Sequence, residues 1–264
     1  MTNFPSTGSE RQCAYIIFAR APLRGRIKTR LAADIGEEAT LLLYEAMLED
    51  TLNNIRLRLL DDNSPASQAF IFAFPPEMRE ELGKWSENRV GVMKNMRAEA
   101  QEGATFGEKM YNAFARVFDA DPRAIAIIIG ADSPFVEQEV FAEAEASLLA
   151  GNAVIGRAED GGFYLLGLPF VEKSFFFGDN YGNDSVYQRT IEALRARVAV
   201  TELPPRGDID DLSSLRAHVR LLQNQTDGTF QAFQNFQTLR AAQRILTARD
   251  KHDQIAEENA RRER

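Results

Sequence analysis

Short apolar runs alternate along this chain with longer segments whose apolar residues recur every three or four positions. Ala14 to Ala19, Ala69 to Phe74 and Ala124 to Ile129 have the length and composition of buried strands, the second closed by Pro75-Pro76. Ala153 to Ile155 and Phe163 to Leu168 are shorter strands bracketing the turn A-E-D-G-G, and Val198 to Leu203 is a last strand before P-P-R-G-D-I-D-D. Helical spacing is clearest from Ile35 to Leu60, through Leu42, Leu43, Ala46, Met47, Thr51, Leu52 and Ile55. Gly36, Glu37 and Glu38 stand at its start, where negative charge complements a helix dipole. Further helices are predicted over Glu77–Ser86, Phe106–Phe118, Glu137–Ala150, Asn183–Ala196, Leu212–Leu222 and Phe230–Leu246. The stretch from Glu87 to Gly103 reads as polar and irregular. Thr247 to Arg264 is charged without an apolar face, and its end is expected to fray.

Strands alternating with helices predict an α/β domain whose mostly parallel sheet is covered on both faces. Right-handed crossovers would then bring the loops after the strands to one edge, where open α/β sheets bind ligands. The expected organisation is a flexible lead over residues 1–12, one domain over 13–222 and a helical extension over 223–264.

Composition narrows the function classes. The 264 residues are 44% hydrophobic, enough to bury a substantial core, and the net charge of −8 argues against a general nucleic-acid binder. The single cysteine, Cys13, opens an apolar run and has no partner for an intrachain disulfide. Two histidines, His218 and His252, form no zinc pattern and no nucleophile–base arrangement. No apolar stretch is long enough to span a membrane, and the first residues lack a signal peptide's hydrophobic segment, so a soluble cytoplasmic protein is expected.

Against the acidic background, one segment is basic. Arg20, Arg24, Arg26, Lys28 and Arg30 stand on or beside the loop that follows the first strand, with Pro22 and Gly25 inside it. Such a loop between strand and helix suits a phosphate, and Gly25 would let a ligand approach the backbone closely; a solvated basic turn is the plainer alternative. Neither G-x-x-x-x-G-K-[ST] nor G-x-G-x-x-G occurs. Three acidic motifs also follow strands. In Gly130-Ala131-Asp132-Ser133-Pro134, Asp132 or Ser133 can cap a helix, or Asp132 can ligate a divalent cation. Glu159-Asp160-Gly161-Gly162 can be an ordinary turn, or a place where glycines leave room for a sugar or phosphate. In Asp208-Ile209-Asp210-Asp211, capping suits Asp210 or Asp211, whereas Asp208 and Asp210 together could face a metal.

The ordered set F-A-R-A-P-L-R-G-R-I-K-T-R-L, G-A-D-S-P, A-E-D-G-G-F-Y-L-L-G-L and L-P-P-R-G-D-I-D-D-L resembles the DUF2064 family. This bacterial family is described as glycosyltransferase-like and is related to the phosphoenolpyruvate/2-phospholactate guanylyltransferases. The resemblance covers about Tyr15 to Leu215. It implies a GT-A-like fold, the nucleotide-diphospho-sugar transferase architecture, on a Rossmann-like sheet. It further implies phosphate contacts at Arg20, Arg26, Lys28 and Arg30, and Mg²⁺ or Mn²⁺ at Asp132 with Asp208 and Asp210 as further ligands. Glu159, Asp160, Gly161 and Gly162 would line the acceptor or sugar side. The chain departs from the family pattern at Asp179-Asn180-Tyr181-Gly182, where members often carry a Trp, and at D-L-S-S-L, where T-P-x-D-L is common.

The expected function is metal-dependent glycosyl transfer from a nucleotide-sugar to a small acceptor, with Asp160 or Glu159 as general base. Nucleotidyl transfer from an NTP to a phosphorylated small molecule is the alternative, and a nucleotide-binding regulatory module without turnover is a third. The helical tail after Leu222 is expected to pack on the core, with an oligomer contact as the alternative.

Overall fold

A computed structural model of the protein describes residues 11–132, 134–177, 186–224, 233 and 236–262. Seven strands form one sheet: β1 (Cys13–Arg20), β2 (Ala66–Phe74), β3 (Met96–Ala100), β4 (Ile125–Gly130), β5 (Ala153–Ala158), β6 (Phe163–Leu168) and β7 (Val200–Arg206), in the order β3-β2-β1-β4-β6-β5-β7. β6 pairs antiparallel with both β4 and β5, and every other pairing is parallel. The expected mixed, mostly parallel α/β sheet is therefore present.

β1 lies at the centre of the parallel part, and its side chains alternate between two cores. Tyr15, Ile17 and Ala19 pack with Ile71, Ile127 and Ile129 on one face, under Leu48, Leu52 and Phe141 of α2 (Glu37–Leu60) and α5 (Gln138–Leu149). Ala14 and Ile16 turn to the other face, against Phe70, Phe72 and Ile128 and under Met110, Phe114 and Val117 of α4 (Phe106–Ala120). A strand buried on both sides reads as a continuous apolar run, which is why β1 and β4 stand out in the sequence. The start of α4 is set by a capping box: the Thr105 hydroxyl accepts from Glu108 N, and the Glu108 carboxylate accepts from the Thr105 backbone N–H.

A third core joins α1 (Thr29–Ile35) and α2 to α7 (Leu212–Asn224) and α8 (Gln237–Arg262) through Leu31, Leu43, Met47, Leu215 and Leu239. Asp50, in the middle of α2, caps α8 from a distance. Its carboxylate accepts from Gln237 N, Thr238 N and Thr238 Oγ1 at 2.7 to 3.0 Å.

Several boundaries differ from the sequence expectation. The helix foreseen over Ile35–Leu60 is α2, which begins at Glu37 after Gly36 at φ 85°, and an unforeseen short helix, α1, ends at Ile35 just before it. The stretch thought irregular contains the end of α3 (Arg79–Val90) and all of β3, an edge strand whose M-R-A-E-A sequence mixes charge with small apolar residues. β7 runs on through Pro204 and Pro205, which an edge strand tolerates because one side makes no ladder bonds. α8 continues to Arg262, beyond the helix end expected at Leu246. The segment Asp179–Gly182, Ser133 and the first ten residues lie outside the described residues. No helix among the described residues is long and apolar enough to cross a membrane.

Candidate active site

The parallel register brings the carboxyl ends of β1, β2 and β4 side by side, pairing Arg20 with Phe74 and Phe18 with Gly130. The loops that leave these ends, together with those after β5 and β7, surround a two-lobed cavity. The first lobe, of about 510 Å³, carries Arg20, Arg26, Lys28, Thr29 and Arg30 on one side and Phe74, Gln101, Phe106 and Lys109 on the other. The second, of about 270 Å³, includes Asp160, Gly162, Phe163, Tyr164 and Asp208. Phe18, Phe106, Gly130 and Asp132 line both lobes, so Asp132 stands at their junction.

The basic loop is anchored at its root. The Tyr44 hydroxyl accepts from Arg20 N (2.8 Å) and donates to Arg20 O (2.9 Å), and Ala21 N donates to Phe74 O. Burial pushes the Tyr44 phenol well above its usual value, so it remains a neutral clamp. Arg20, Arg26 and Arg30 reach the first lobe and form no ion pair among the described residues. Arg24 faces away and pairs with Glu37 at 3.3 Å, and Gly25 (φ 73°) serves the turn without lining the cavity.

Lys28 is the one cation of the loop whose side chain the fold buries. Its backbone takes φ 41°, a left-handed conformation rare for a long side chain, immediately before α1. The side chain is 8% exposed, and its ammonium contacts Asp132 Oδ1 at 2.9 Å and Asp210 Oδ1. Burial opposes its charge, but the two carboxylates outweigh burial and hold the ammonium above the ordinary lysine value. The same pairing keeps Asp210 below the usual carboxylate range although burial works the other way. Asp208 lies on the opposite balance: burial, then the nearby charges of Asp210 and Asp160, push it up to about 6.

The acidic motifs separate into site and scaffold. Asp132 caps no helix, since α5 begins only at Gln138, and its carbonyl instead accepts from Ile209 N, linking the loops after β4 and β7. Asp211 is the cap of the D-I-D-D segment: its carboxylate accepts from Ser214 N at 2.7 Å, while the Ser214 hydroxyl accepts from Asp210 N and Asp211 N. That leaves Asp208 and Asp210 directed to the cavity. After β5, Asp160 closes the turn by accepting from Gly162 N (2.9 Å) and lines the second lobe, as does Gly162; Gly161 O accepts from Tyr187 N at the start of α6 (Val186–Arg195). Glu159 is on the far side of this turn. A Cβ on Gly207 would lie 3.1 Å from its carboxylate and 2.6 Å from the His218 ring.

Sequence reading missed the wall opposite the cations. Gln101 follows the edge strand β3; its side-chain amide donates to Phe72 O at 2.8 Å, which leaves its oxygen as an acceptor beside the lobe. The Lys109 ammonium and the Arg20 guanidinium lie 4.5 and 5.2 Å from the Phe74 ring centre. Neither Gln101 nor Lys109 sits in a motif, and only the path of β3 and α4 brings them there.

The donor set can be tested against a divalent cation. Among the described residues no three acidic, histidine or cysteine groups are gathered as a metal-binding cluster. Mg²⁺, however, is commonly held by one or two carboxylates plus substrate phosphates. Asp132 and Asp208 in one lobe, with Asp210 beside them, fit that type and not a closed all-protein cage.

The family model of DUF2064, an "Uncharacterized protein conserved in bacteria", matches residues 65–183. A crystal structure from Desulfovibrio desulfuricans G20, provisionally designated a nucleotide-diphospho-sugar transferase, is 26% identical with a TM-score of 0.76, over 91% of this chain and 98% of that one. The 4-diphosphocytidyl-2C-methyl-D-erythritol synthase of Anaerococcus prevotii DSM 20548 is 12% identical with a TM-score of 0.51, over 82% and 100%; here the likeness is one of fold. A comparison with curated proteins gives no match. These findings agree with the family resemblance carried by the motifs and with the nucleotide-diphospho-sugar transferase architecture.

Proposed function

We propose that the chain is a nucleotide-using transferase that moves a glycosyl group from a nucleotide-sugar to the hydroxyl of a small acceptor. The observation that carries this reading is the two-lobed cavity: a lobe rich in arginine, a side chain suited to phosphates, meets an acidic lobe at Asp132. The similarity to the D. desulfuricans protein supports the donor class.

In this mechanism Arg20, Arg26 and Arg30 hold the diphosphate in the first lobe. Asp132, with Asp210 and Asp208 beside it, would hold Mg²⁺ or Mn²⁺, which when bound neutralises charge on the departing diphosphate. Asp160 lines the second lobe, where it would take the acceptor proton, whereas Glu159 lies off the cavity. The acceptor oxygen forms a bond to the anomeric carbon, the bond from that carbon to the diphosphate breaks, and the nucleoside diphosphate leaves with the electron pair. The proton goes to Asp160.

Nucleotidyl transfer is the second reading, favoured by the loop P-L-R-G-R-I-K-T-R, whose P-x-x-G-x-x-K-T-R pattern is similar to that of the guanylyltransferases. An acceptor phosphate would then attack the α-phosphate of an NTP and release pyrophosphate. A panel of nucleotide-sugars and NTPs with small hydroxylated and phosphorylated acceptors separates the two. Nucleoside diphosphate released only from a nucleotide-sugar, and lost in Asp132→Ala, is the expected result. Pyrophosphate from an NTP would replace it with the second reading. Metal-dependent nucleotide binding without either product would leave a binding module.

A further inference from the structure

The Lys28 ammonium stands where a cation bound by Asp132 and Asp210 would have to stand. Three separate loops build this contact: Lys28 comes from the loop after β1, Asp132 from the loop after β4 and Asp210 from the loop after β7. The lysine side chain is 8% exposed, whereas the Asp132 and Asp210 side chains keep 52% and 41% of their surface open. The carboxylates therefore face the cavity with one oxygen each already engaged by an internal cation. A divalent ion and an ammonium sharing the same oxygens repel each other, and the burial of the ammonium limits how far water can screen it. Phosphate supplies the alternative partner, since the Lys28 stem is long and flexible and Arg26 and Arg30 line the same lobe.

Resting on the nucleotide reading above, we infer that Lys28 is the resident counter-ion of the Asp132–Asp210 pair and sets the order of assembly. The divalent cation enters only together with a nucleotide, whose phosphates draw the ammonium off the carboxylates. Without nucleotide, Lys28 occupies the pair and keeps free metal out. This makes Lys28 a positioning residue for the metal as well as a phosphate contact.

The test is Mn²⁺ binding to the full chain, read from the paramagnetic resonance signal of free Mn²⁺, for wild type and Lys28→Met. Each is titrated with Mn²⁺ alone and with Mn²⁺ plus UDP, GDP, CDP or ADP. Lys28→Met is expected to bind Mn²⁺ alone at least about tenfold more tightly than wild type, and Asp132→Asn in that background should remove the gain. Equal Mn²⁺ affinity in wild type and Lys28→Met overturns the inference, as does a Lys28→Met protein that binds no Mn²⁺. Should Lys28→Met not fold, Lys28→Gln takes its place with the same expectation. Nucleotide binding by wild type in EDTA is followed separately by thermal shift. Failure of every nucleotide, with or without Mn²⁺, removes the functional reading itself, whereas intact nucleotide binding with equal Mn²⁺ affinities removes only the counter-ion.

Discussion

Replacing Arg58 by Met should destabilise the protein far more than its position, remote from the cavity, would suggest. Arg58 lies on α2 and meets Glu145 of α5 beneath the sheet, with side chains 9% and 2% exposed. Glu145 Oε2 accepts from Arg58 Nη2 at 2.5 Å, while Oε1 accepts from Tyr15 Oη (2.6 Å), Ser64 Oγ (3.0 Å) and Arg58 Nε (3.2 Å). The hydrogen bonds to Glu145 are the main reason the guanidinium lies above its ordinary value, burial notwithstanding. Methionine would fill much of the volume but leave the Glu145 carboxylate buried with only two neutral donors. Breaking such a pair from one side costs about 3–5 kcal/mol, against a total stability of about 5–15 kcal/mol. For a chain of this size that corresponds to a fall of roughly 6–20 °C in Tm. Urea denaturation should show a lower midpoint with an unchanged slope, since the surface exposed on unfolding is the same. A cost below about 1 kcal/mol would refute the reasoning and mean that the pair is hydrated or replaceable.

Other consequences can be checked alongside. Asp50→Ala removes three hydrogen bonds that cap α8 and should cost about 1–3 kcal/mol; hydrogen exchange should accelerate first in α8, and unchanged protection there would contradict the capping role. Burial, reinforced by the Glu145 charge, holds the Cys13 thiol well above its usual value. Iodoacetamide should therefore modify the native protein only at the rate of unfolding, even in mildly alkaline buffer, and rapid native alkylation would show the strand to be open. Arg26→Ala and Arg30→Ala should each weaken binding of a nucleoside diphosphate by about 1.5–3 kcal/mol in EDTA-containing buffer. Arg24→Ala, on an outward-facing side chain paired with Glu37, should change it little, and the reverse ranking by titration calorimetry would misplace the phosphate lobe. Gln101→Leu removes an acceptor from the wall opposite the cations and should flatten preference among UDP, GDP, CDP and ADP, whereas an unaltered preference would take that wall out of base recognition.

The parts of this protein legible in the sequence are those decided by local pattern. Strands buried on both faces must be apolar throughout, so Y-I-I-F-A and I-A-I-I-I announce β1 and β4 wherever they occur. Cations after the first strand and carboxylates after later ones could be placed on one edge because crossover handedness leaves them nowhere else. β3 and the proline-bearing end of β7 escaped the same reasoning: edge strands make ladder bonds on one side and need neither a continuous apolar run nor every N–H. Tertiary structure alone chose among chemically equal residues. Asp210 and Asp211 are neighbours of identical type, yet one meets Lys28 and the other caps α7, because the chain leaving β7 turns between them. Glu159 and Asp160 part in the same way across a tight turn, and Gln101 and Lys109 reach the cavity from elements with no motif. Periodicity records which face of an element is buried, but the direction of one polar side chain depends on backbone angles and on neighbours remote in sequence.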